Sequence, residues 1–244
     1  RIRCIMPNKV KRYAIIGAMD CEVEKLQELM QDLKKDDYND LTIYTGKINS
    51  HEIILAKSGV GKVNAALNTQ YIIDRFEPDC IINTGVAGGI GANLRVGDIV
   101  IGETLVQHDF DATALGYAKG YMCTGIEPNK PTLFYSDKAL IEEFETAIKC
   151  LNSEDITVHK GVIATGDTFV SSSEKKHELF ELFNATAVEM EGGAIAQTSN
   201  KNGVPCLIVR AISDLADGSA PMSLAQVETK MAEFASSTIE MLLR

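Results

Sequence analysis

Residues 187–217 read AVEMEGGAIAQTSNKNGVPCLIVRAISDLAD, and the way apolar runs alternate with glycine-marked breaks in this stretch decides the fold. Thr186–Met190 and Pro205–Ile212 are strand candidates, the second an almost continuous apolar run of the kind that a strand buried on both faces requires. Between them Gly192–Lys201 reads as a helix. Two glycines at its start permit close approach to a neighbour, and Asn202-Gly203 supplies a stop signal. The expected unit is βαβ. Ligands of open α/β sheets bind outside the carboxyl ends of the strands, where Glu189, Met190 and Glu191, then Arg210, Ser213 and Asp214, would fall.

Working outward, Leu224–Leu243 and Ser173–Leu182 are helical, and Gly166-Asp-Thr-Phe-Val170 marks the end of a strand at Val158–Thr165. Asp137–Leu151 is an amphipathic helix. Val96–Gln107 supplies further β structure and leads into a polar loop, HDFDATALGY, at His108–Tyr117. The adjacent His108 and Asp109 could suggest a metal, but no third and fourth ligand sits nearby. Asp79–Thr84 is an apolar strand that runs into Gly85-Val-Ala-Gly-Gly-Ile-Gly91. This is not a dinucleotide fingerprint, because Ala87 and Ile90 stand where the second and third glycines belong. Its glycines, Gly88 among them, either let the backbone approach a ligand closely or simply make a tight turn.

Ala65–Phe76 is helical. The preceding Lys57-Ser-Gly-Val-Gly-Lys62 resembles a phosphate loop only superficially: Ala56 replaces its first glycine and Val63 its Ser/Thr, which excludes a nucleotide triphosphatase. Leu41–Ile48 and His51–Lys57 form a hairpin around Asn49-Ser50. Tyr13–Ala18 is the first strand; Asp20 then caps a helix whose apolar stripe is Val23, Leu26, Leu29, Met30 and Leu33. Glu22 falls in its first turn, where the helix dipole alone favours an acid. Strands alternating with helices, with an early hairpin, specify a three-layer α/β/α sandwich around a twisted mixed β-sheet.

The 244 residues fit one large domain, read as 13–244 because no Pro/Ser/Gly linker interrupts it. Residues 1–12 carry five basic and no acidic residues, lack the apolar core of a secretory signal, and read as a leader outside the core. A net charge of −10 argues against a nucleic-acid partner and for a small ligand. The cysteines at 4, 21, 80, 123, 150 and 206 show neither C-x-x-C nor zinc spacing, which points to buried thiols in a reducing, cytoplasmic compartment. No apolar run reaches the ~18 residues of a membrane span.

IIGAMDCEVEKL, KSGVGKVNAA, INTGVAGG, VGDIV, HDFDATALGY, GDTFV, AVEMEGGAIA and VRAISDLAD, in this order, closely resemble the 5′-methylthioadenosine/S-adenosylhomocysteine nucleosidases of the nucleoside phosphorylase superfamily. The resemblance runs from Tyr13 to the C-terminus. It implies hydrolysis of an N-glycosidic bond, releasing adenine and a 5-thioribose derivative in methionine salvage and S-adenosylmethionine recycling, with 5′-deoxyadenosine as a further substrate. Adenine leaves poorly as an anion, so an acid must protonate it while a base activates water; two carboxyls in different protonation states are needed. The resemblance makes Asp214 the proton donor to purine N7, with Ser213 orienting it and the apolar strand before it favouring a raised pKa. It makes Glu22 the base that activates water and puts Arg210 beside that water. Without it, Asp214 would read as a helix cap and Arg210 as the salt-bridge partner of Glu22 or Glu191.

By the same resemblance Glu191 accepts hydrogen bonds from the ribose hydroxyls, Met190 and Met19 pack on ribose, Phe169 stacks on adenine and the backbone of Val170 bonds its edge. Val86 stands where many members carry serine, so the water would rest on Glu22 and Arg210. The 5′ pocket is lined by Val60 and Leu224 and, in the family's dimer, by Ala112 and Leu115 of the other subunit; phenylalanine is frequent at the two leucine positions. A homodimer is therefore expected, with no metal and no organic cofactor. A phosphate-dependent purine nucleoside phosphorylase, a 6-amino-6-deoxyfutalosine hydrolase and a non-catalytic nucleoside-binding protein are the alternatives. Carboxylates at Glu22 and Glu191 would repel phosphate, and a binder needs no proton donor.

Overall fold

The computed structural model describes residues 10–38, 41–150, 157–216, 237 and 239–243, without the side chains of Cys21 and Glu22. In chain order the elements are β1 (Arg12–Gly17), α1 (Asp20–Leu29), β2 (Gln31–Tyr38), β3 (Leu41–Ile48), β4 (His51–Lys57), α2 (Lys62–Phe76), β5 (Cys80–Asn83) and β6 (Val86–Gly89). Then follow β7 (Ile99–Gln107), β8 (Leu133–Tyr135), α3 (Lys138–Cys150), β9 (Val158–Thr165), α4 (Ser173–Phe183), β10 (Ala185–Glu189), α5 (Gly192–Asn202) and β11 (Cys206–Asp214). Residues 239–242 are helical; Leu224 and most of the helix expected around it lie outside the described residues.

The strands form one mixed sheet in the order β2-β3-β4-β1-β5-β11-β6-β10-β9-β7-β8. Because β11 also pairs antiparallel with β7, the strands β11, β6, β10, β9 and β7 close into a ring. Alternate residues of the strands feed opposite faces, as a period of two demands. Ile15, Leu55, Ile82 and Leu207 meet Leu26 of α1, Phe144 of α3 and Ile239 on one side. Ile16, Ile54, Ile81 and Ile208 meet Ile72 of α2 and Ile195 of α5 on the other. Those are the three layers of an α/β/α sandwich.

β11 is the hinge of this arrangement. Its first residues pair with β5 (Cys206 with Ile81, Ile208 with Asn83), and its last with β6 (Ala211 with Val86, Asp214 with Gly88). All nine of its residues are buried, as its apolar run predicts.

Three expectations need correction. β10 and β11 do not form a βαβ unit: β6 lies between them, parallel to β11 but antiparallel to β10. The glycine stretch is not a turn, since Val86–Gly89 is itself that intervening strand. The first helix stops at Leu29, and Leu33 belongs to β2, an almost wholly exposed strand of sequence QDLKKDDY paired with β3. Pairing with a neighbour overrides the helical stripe there, and charges along an edge strand discourage further pairing. β1 also takes in Arg12, whose side chain binds Glu52 and the Phe76 carbonyl, and Lys11 reaches Glu143.

Candidate active site

The wall of the site is the meeting of β11, β6 and β10. Gly88 pairs with Asp214 on one side and Val188 on the other. A Cβ on Gly88 would lie 3.0 Å from the Ala216 side chain and 3.3 Å from both Asp214 Oδ1 and Val188 Cγ1, so glycine lets the three strands close around Asp214 without any of them giving way. Asp214 is 6% exposed; its Oδ1 accepts the Ala216 N–H at 2.8 Å and its Oδ2 lies 2.9 Å from Ser213 Oγ. Ser213 Oγ is also 3.3 Å from the Ala87 carbonyl oxygen. A hydroxyl has one hydrogen and two lone pairs. It can donate to ionised Asp214, or turn to Ala87 and accept from protonated Asp214, so it serves the acid in either state.

At the end of β10 the chain turns into α5. Glu189 Oε2 accepts the N–H groups of Glu191 (3.0 Å) and Gly192 (2.6 Å), satisfying the exposed donors of the helix start. The same oxygen meets Arg210 Nη2 at 2.5 Å, while Oε1 accepts from the Thr165 hydroxyl. Arg210, 2% exposed, also donates to Asn83 Oδ1 at 2.6 Å. The expected salt-bridge partner Glu191 is farther, at 4.0 Å, and its Oε1 accepts the Gly61 N–H at 2.9 Å. The two glycines expected to allow close packing at the helix start do so: a Cβ on Gly192 would be 2.7 Å from Ile208 Cγ2, and one on Gly193 2.7 Å from Thr165 Oγ1.

A cavity of about 210 Å³ opens between this wall and a looser rim. Of the residues singled out in the sequence, it brings together Met19, Val60, Val86, Gly88, Phe169, Val170, Met190, Glu191, Ser213 and Asp214. Val170 is buried, whereas Val60 is 50% and Phe169 60% exposed. Arg210 does not line the cavity; it lies behind Glu189, which does. Ala112 and Leu115 are not part of its lining either, and Leu115 is among the most exposed apolar side chains. Glu22 sits in the first turn of α1, as expected, with its side chain not described; Leu224 lies outside the described residues.

Sequence reasoning placed Glu189 at a ligand-binding strand end but gave it no role, and it assigned none to Ala18, Ala87, Thr168 and Val188 of the lining. A signal for Glu189 existed: an arginine inside LIVRAIS must find a buried acid. The two glutamates of EME were candidates, and only the second was weighed.

The family model described as the phosphorylase superfamily matches residues 12–244. The 5′-methylthioadenosine/S-adenosylhomocysteine nucleosidase of Staphylococcus aureus (strain JH9) is 41% identical over 230 residues, 94% of this chain and 97% of that protein. The crystal structure of the nucleosidase of the same name from Neisseria meningitidis, in complex with methylthio-immucillin-A, superposes with a TM-score of 0.88 at 41% identity, covering 96% and 98% of the two chains. The native structure of futalosine hydrolase from Helicobacter pylori strain 26695 superposes at 0.87 with 32% identity, covering 96% and 97%. With the family model matched over residues 12–244, and with sequence and fold shared over 94% and 96% of its length, the chain belongs to the phosphorylase superfamily, among the 5′-methylthioadenosine/S-adenosylhomocysteine nucleosidases.

Proposed function

We infer that the protein hydrolyses the N-glycosidic bond of 5′-methylthioadenosine and S-adenosylhomocysteine, releasing adenine and the corresponding 5-thioribose. The observation that carries the reading is the buried Asp214–Ser213 pair on one wall of a cavity that Glu191 and Met190 also line. Purine lies against Phe169 with its edge at the Val170 backbone, and ribose lies against Met190 and Met19 with its hydroxyls on Glu191. Asp214 gives its proton to N7, the C1′–N9 bond breaks, and adenine leaves neutral. Glu22 takes a proton from the water whose oxygen bonds to C1′. Ser213 supports the ionised acid as the proton leaves, because its hydrogen turns from Ala87 to Asp214. Arg210 acts from behind Glu189: it neutralises that carboxylate and holds the end of β10, and with it the wall beside the water, in place.

Hydrolysis is favoured over phosphorolysis by charge. Arg210 is paired with Glu189 and Lys62 with Asp109 (2.6 Å), so the positive charge beside the cavity is already balanced by carboxylates. The protein works as a homodimer in which Ala112 and Leu115 complete the partner's 5′ pocket. Exposed apolar side chains at Val60, Val63, Leu67 and Leu115 support such a contact. Free thiols at Cys80 and Cys206, both pushed up to about 12 by burial, suit the reducing cytoplasm. Among the described residues no helix is long and apolar enough to cross a membrane.

Hydrolysis of 6-amino-6-deoxyfutalosine is the second reading, favoured by the Helicobacter pylori likeness and by the aliphatic side chains at Val60, Ala112 and Leu115. One experiment tests both: methylthioadenosine, adenosylhomocysteine and aminofutalosine are each mixed with the protein, with and without phosphate, and adenine is measured. Phosphate-independent release from the first two is expected. Release that requires phosphate and yields a ribose 1-phosphate overturns the hydrolase, and release from aminofutalosine alone selects the second reading.

A further inference from the structure

Lys62, the lysine of the apparent phosphate loop, has no part in the chemistry above, yet it stands at the junction of three segments that shape the cavity mouth. Its Nζ lies 2.6 Å from Asp109 Oδ1, 3.3 Å from Gln107 Oε1 and 3.9 Å from Asp167 Oδ2. Its backbone N–H donates to Asp167 Oδ1 at 2.8 Å, and the Asp167 N–H donates to Asp109 Oδ2 at 2.8 Å. One residue earlier, the Gly61 N–H donates to Glu191 Oε1. The start of α2 therefore has no capping side chain of its own and takes its caps from two distant carboxylates, Glu191 and Asp167.

The three segments are those whose placement matters to a nucleoside. Residues 59–62 carry Val60, Asp167 stands two residues before Phe169, and Gln107–Asp109 leads into the loop with Ala112 and Leu115. Phe169 and Val60 are each half exposed or more, so packing fixes them less than it does the wall, and polar contacts of their flanking residues carry more of their placement. Lys62 and Asp109 side chains are only 17% and 24% exposed, which shields their pair from screening more than an open surface pair. Burial pushes the Asp109 carboxyl up, but the hydrogen bonds from Lys62 and from the Asp167 N–H outweigh it and hold the group below the usual carboxylate range.

We propose that Lys62, through Asp109 and Asp167, is a positioning residue for nucleoside binding: it ties the Val60 and Phe169–Val170 edges of the pocket to Glu191 and sets affinity rather than the chemical step. The proposal rests on the nucleosidase reading and deepens it.

The test uses the full chain with Lys62→Met, Asp109→Asn, both together, and Lys62→Arg, reading steady-state hydrolysis of methylthioadenosine and adenine affinity by calorimetry. Lys62→Met and Asp109→Asn are each expected to raise KM and the adenine Kd about tenfold while kcat changes less than about threefold, since small displacements of positioning groups act on binding geometry. The double variant is expected within about twofold of the worse single one, because both break the same link. Lys62→Arg, which keeps the charge, restores both constants to within about threefold of the parent. Unchanged KM and Kd in both single variants, losses that multiply in the double one, or a fall in kcat with KM intact each overturn the proposal. If Lys62→Met does not fold, Asp109→Asn and Lys62→Arg decide by the same readings. A parent chain that binds adenine but releases none sinks the nucleosidase reading while the adenine Kd values still judge Lys62; a parent that does not bind adenine at all sinks both.

Discussion

Along β11 every residue from Cys206 to Asp214 is buried, and Asp214, Ser213, Glu189 and Arg210 are fixed by strand pairing, a helix start and short hydrogen bonds. Across the cavity, Phe169 and Val60 stand largely in solvent on segments joined by a lysine and two aspartates. The wall is specified by sterics and burial, the rim by charge. The proposed proton donor, Asp214, stands on the rigid side, and misplacement of such a group enters the barrier directly. A rim held by charge suits the proposed tolerance of different 5′ groups, because loops on a rigid scaffold are where variation is tolerated without disturbing the wall.

Breaking the wall therefore has the larger consequences. Asp214→Asn keeps the shape and a hydrogen-bonding group but cannot protonate N7, and kcat is expected to fall about 10³-fold with adenine affinity nearly kept. Near-parental turnover would remove Asp214 from the mechanism. Glu189→Gln takes from the buried Arg210 guanidinium the nearest of its described carboxylates, leaving Glu191 at 4.0 Å, and the side chains of Arg210 and Glu189 are both 2% exposed. Stability is expected to drop by about 3 kcal/mol, as when one partner of a buried pair is removed. Chemical unfolding of the two proteins measures it, and a loss under about 1 kcal/mol would show that the charge of Glu189 is not what holds Arg210 in the wall.

How much of this was legible differs along the same line. The β3–β4 hairpin and the run of β11 could be read because apolar period and turn residues are local signals; Gly88, Met190, Glu191, Ser213 and Asp214 of the lining followed from glycines and polar residues at strand ends, whereas Met19 and Val60 came only from the family resemblance. β6 could not be read. Gly88 and Gly89 look like turn residues, and their reason for being glycine is the approach of Asp214, Ala216 and Ile212 from more than 120 residues away. β2 was hidden by a helical stripe that tertiary pairing overrides, and Leu33 is exposed as a result. Glu189 was missed because its role depends on Arg210, Thr165 and the start of α5 meeting in space. Sequence spacing shows which residue types exist at strand ends; it does not show which of two neighbouring acids faces the cavity and which faces the arginine.

A milder change probes how tightly the wall is built. Gly88→Ala introduces a methyl 3.0 Å from the Ala216 Cβ and 3.3 Å from Asp214 Oδ1, contacts that strand neighbours must widen by a few tenths of an ångström to accept. We expect a loss of about 1–2 kcal/mol in stability and a fall in kcat larger than the rise in KM, because the displaced group is the acid. The opposite split, with KM rising and kcat kept, would mean that Gly88 serves the purine's fit and that the wall is less rigid than its burial indicates.

The smallest effect concerns the rim, where a titratable group lies within the charge network. His108 is 1% exposed, and neither ring nitrogen finds a hydrogen-bond partner among the described residues. Burial pushes its imidazole below the ordinary histidine value; Asp109 pulls the other way, and Lys175, Lys62 and Lys119 add to the lowering. The unfolded chain thus takes up this proton near pH ~6.5 while the folded one takes it only at lower pH, so stability is lost as pH falls below about 6.5. His108→Phe keeps a ring beside Gly166, where a Cβ would run into His108, and removes the titration. The drop in unfolding free energy between pH 7 and pH 5 is expected to shrink by roughly 1 kcal/mol or less relative to the parent. Equal pH slopes for the two proteins would mean that the folded state accepts the proton without cost, and the contrast between a charge-held rim and a sterically held wall would then not extend to this histidine.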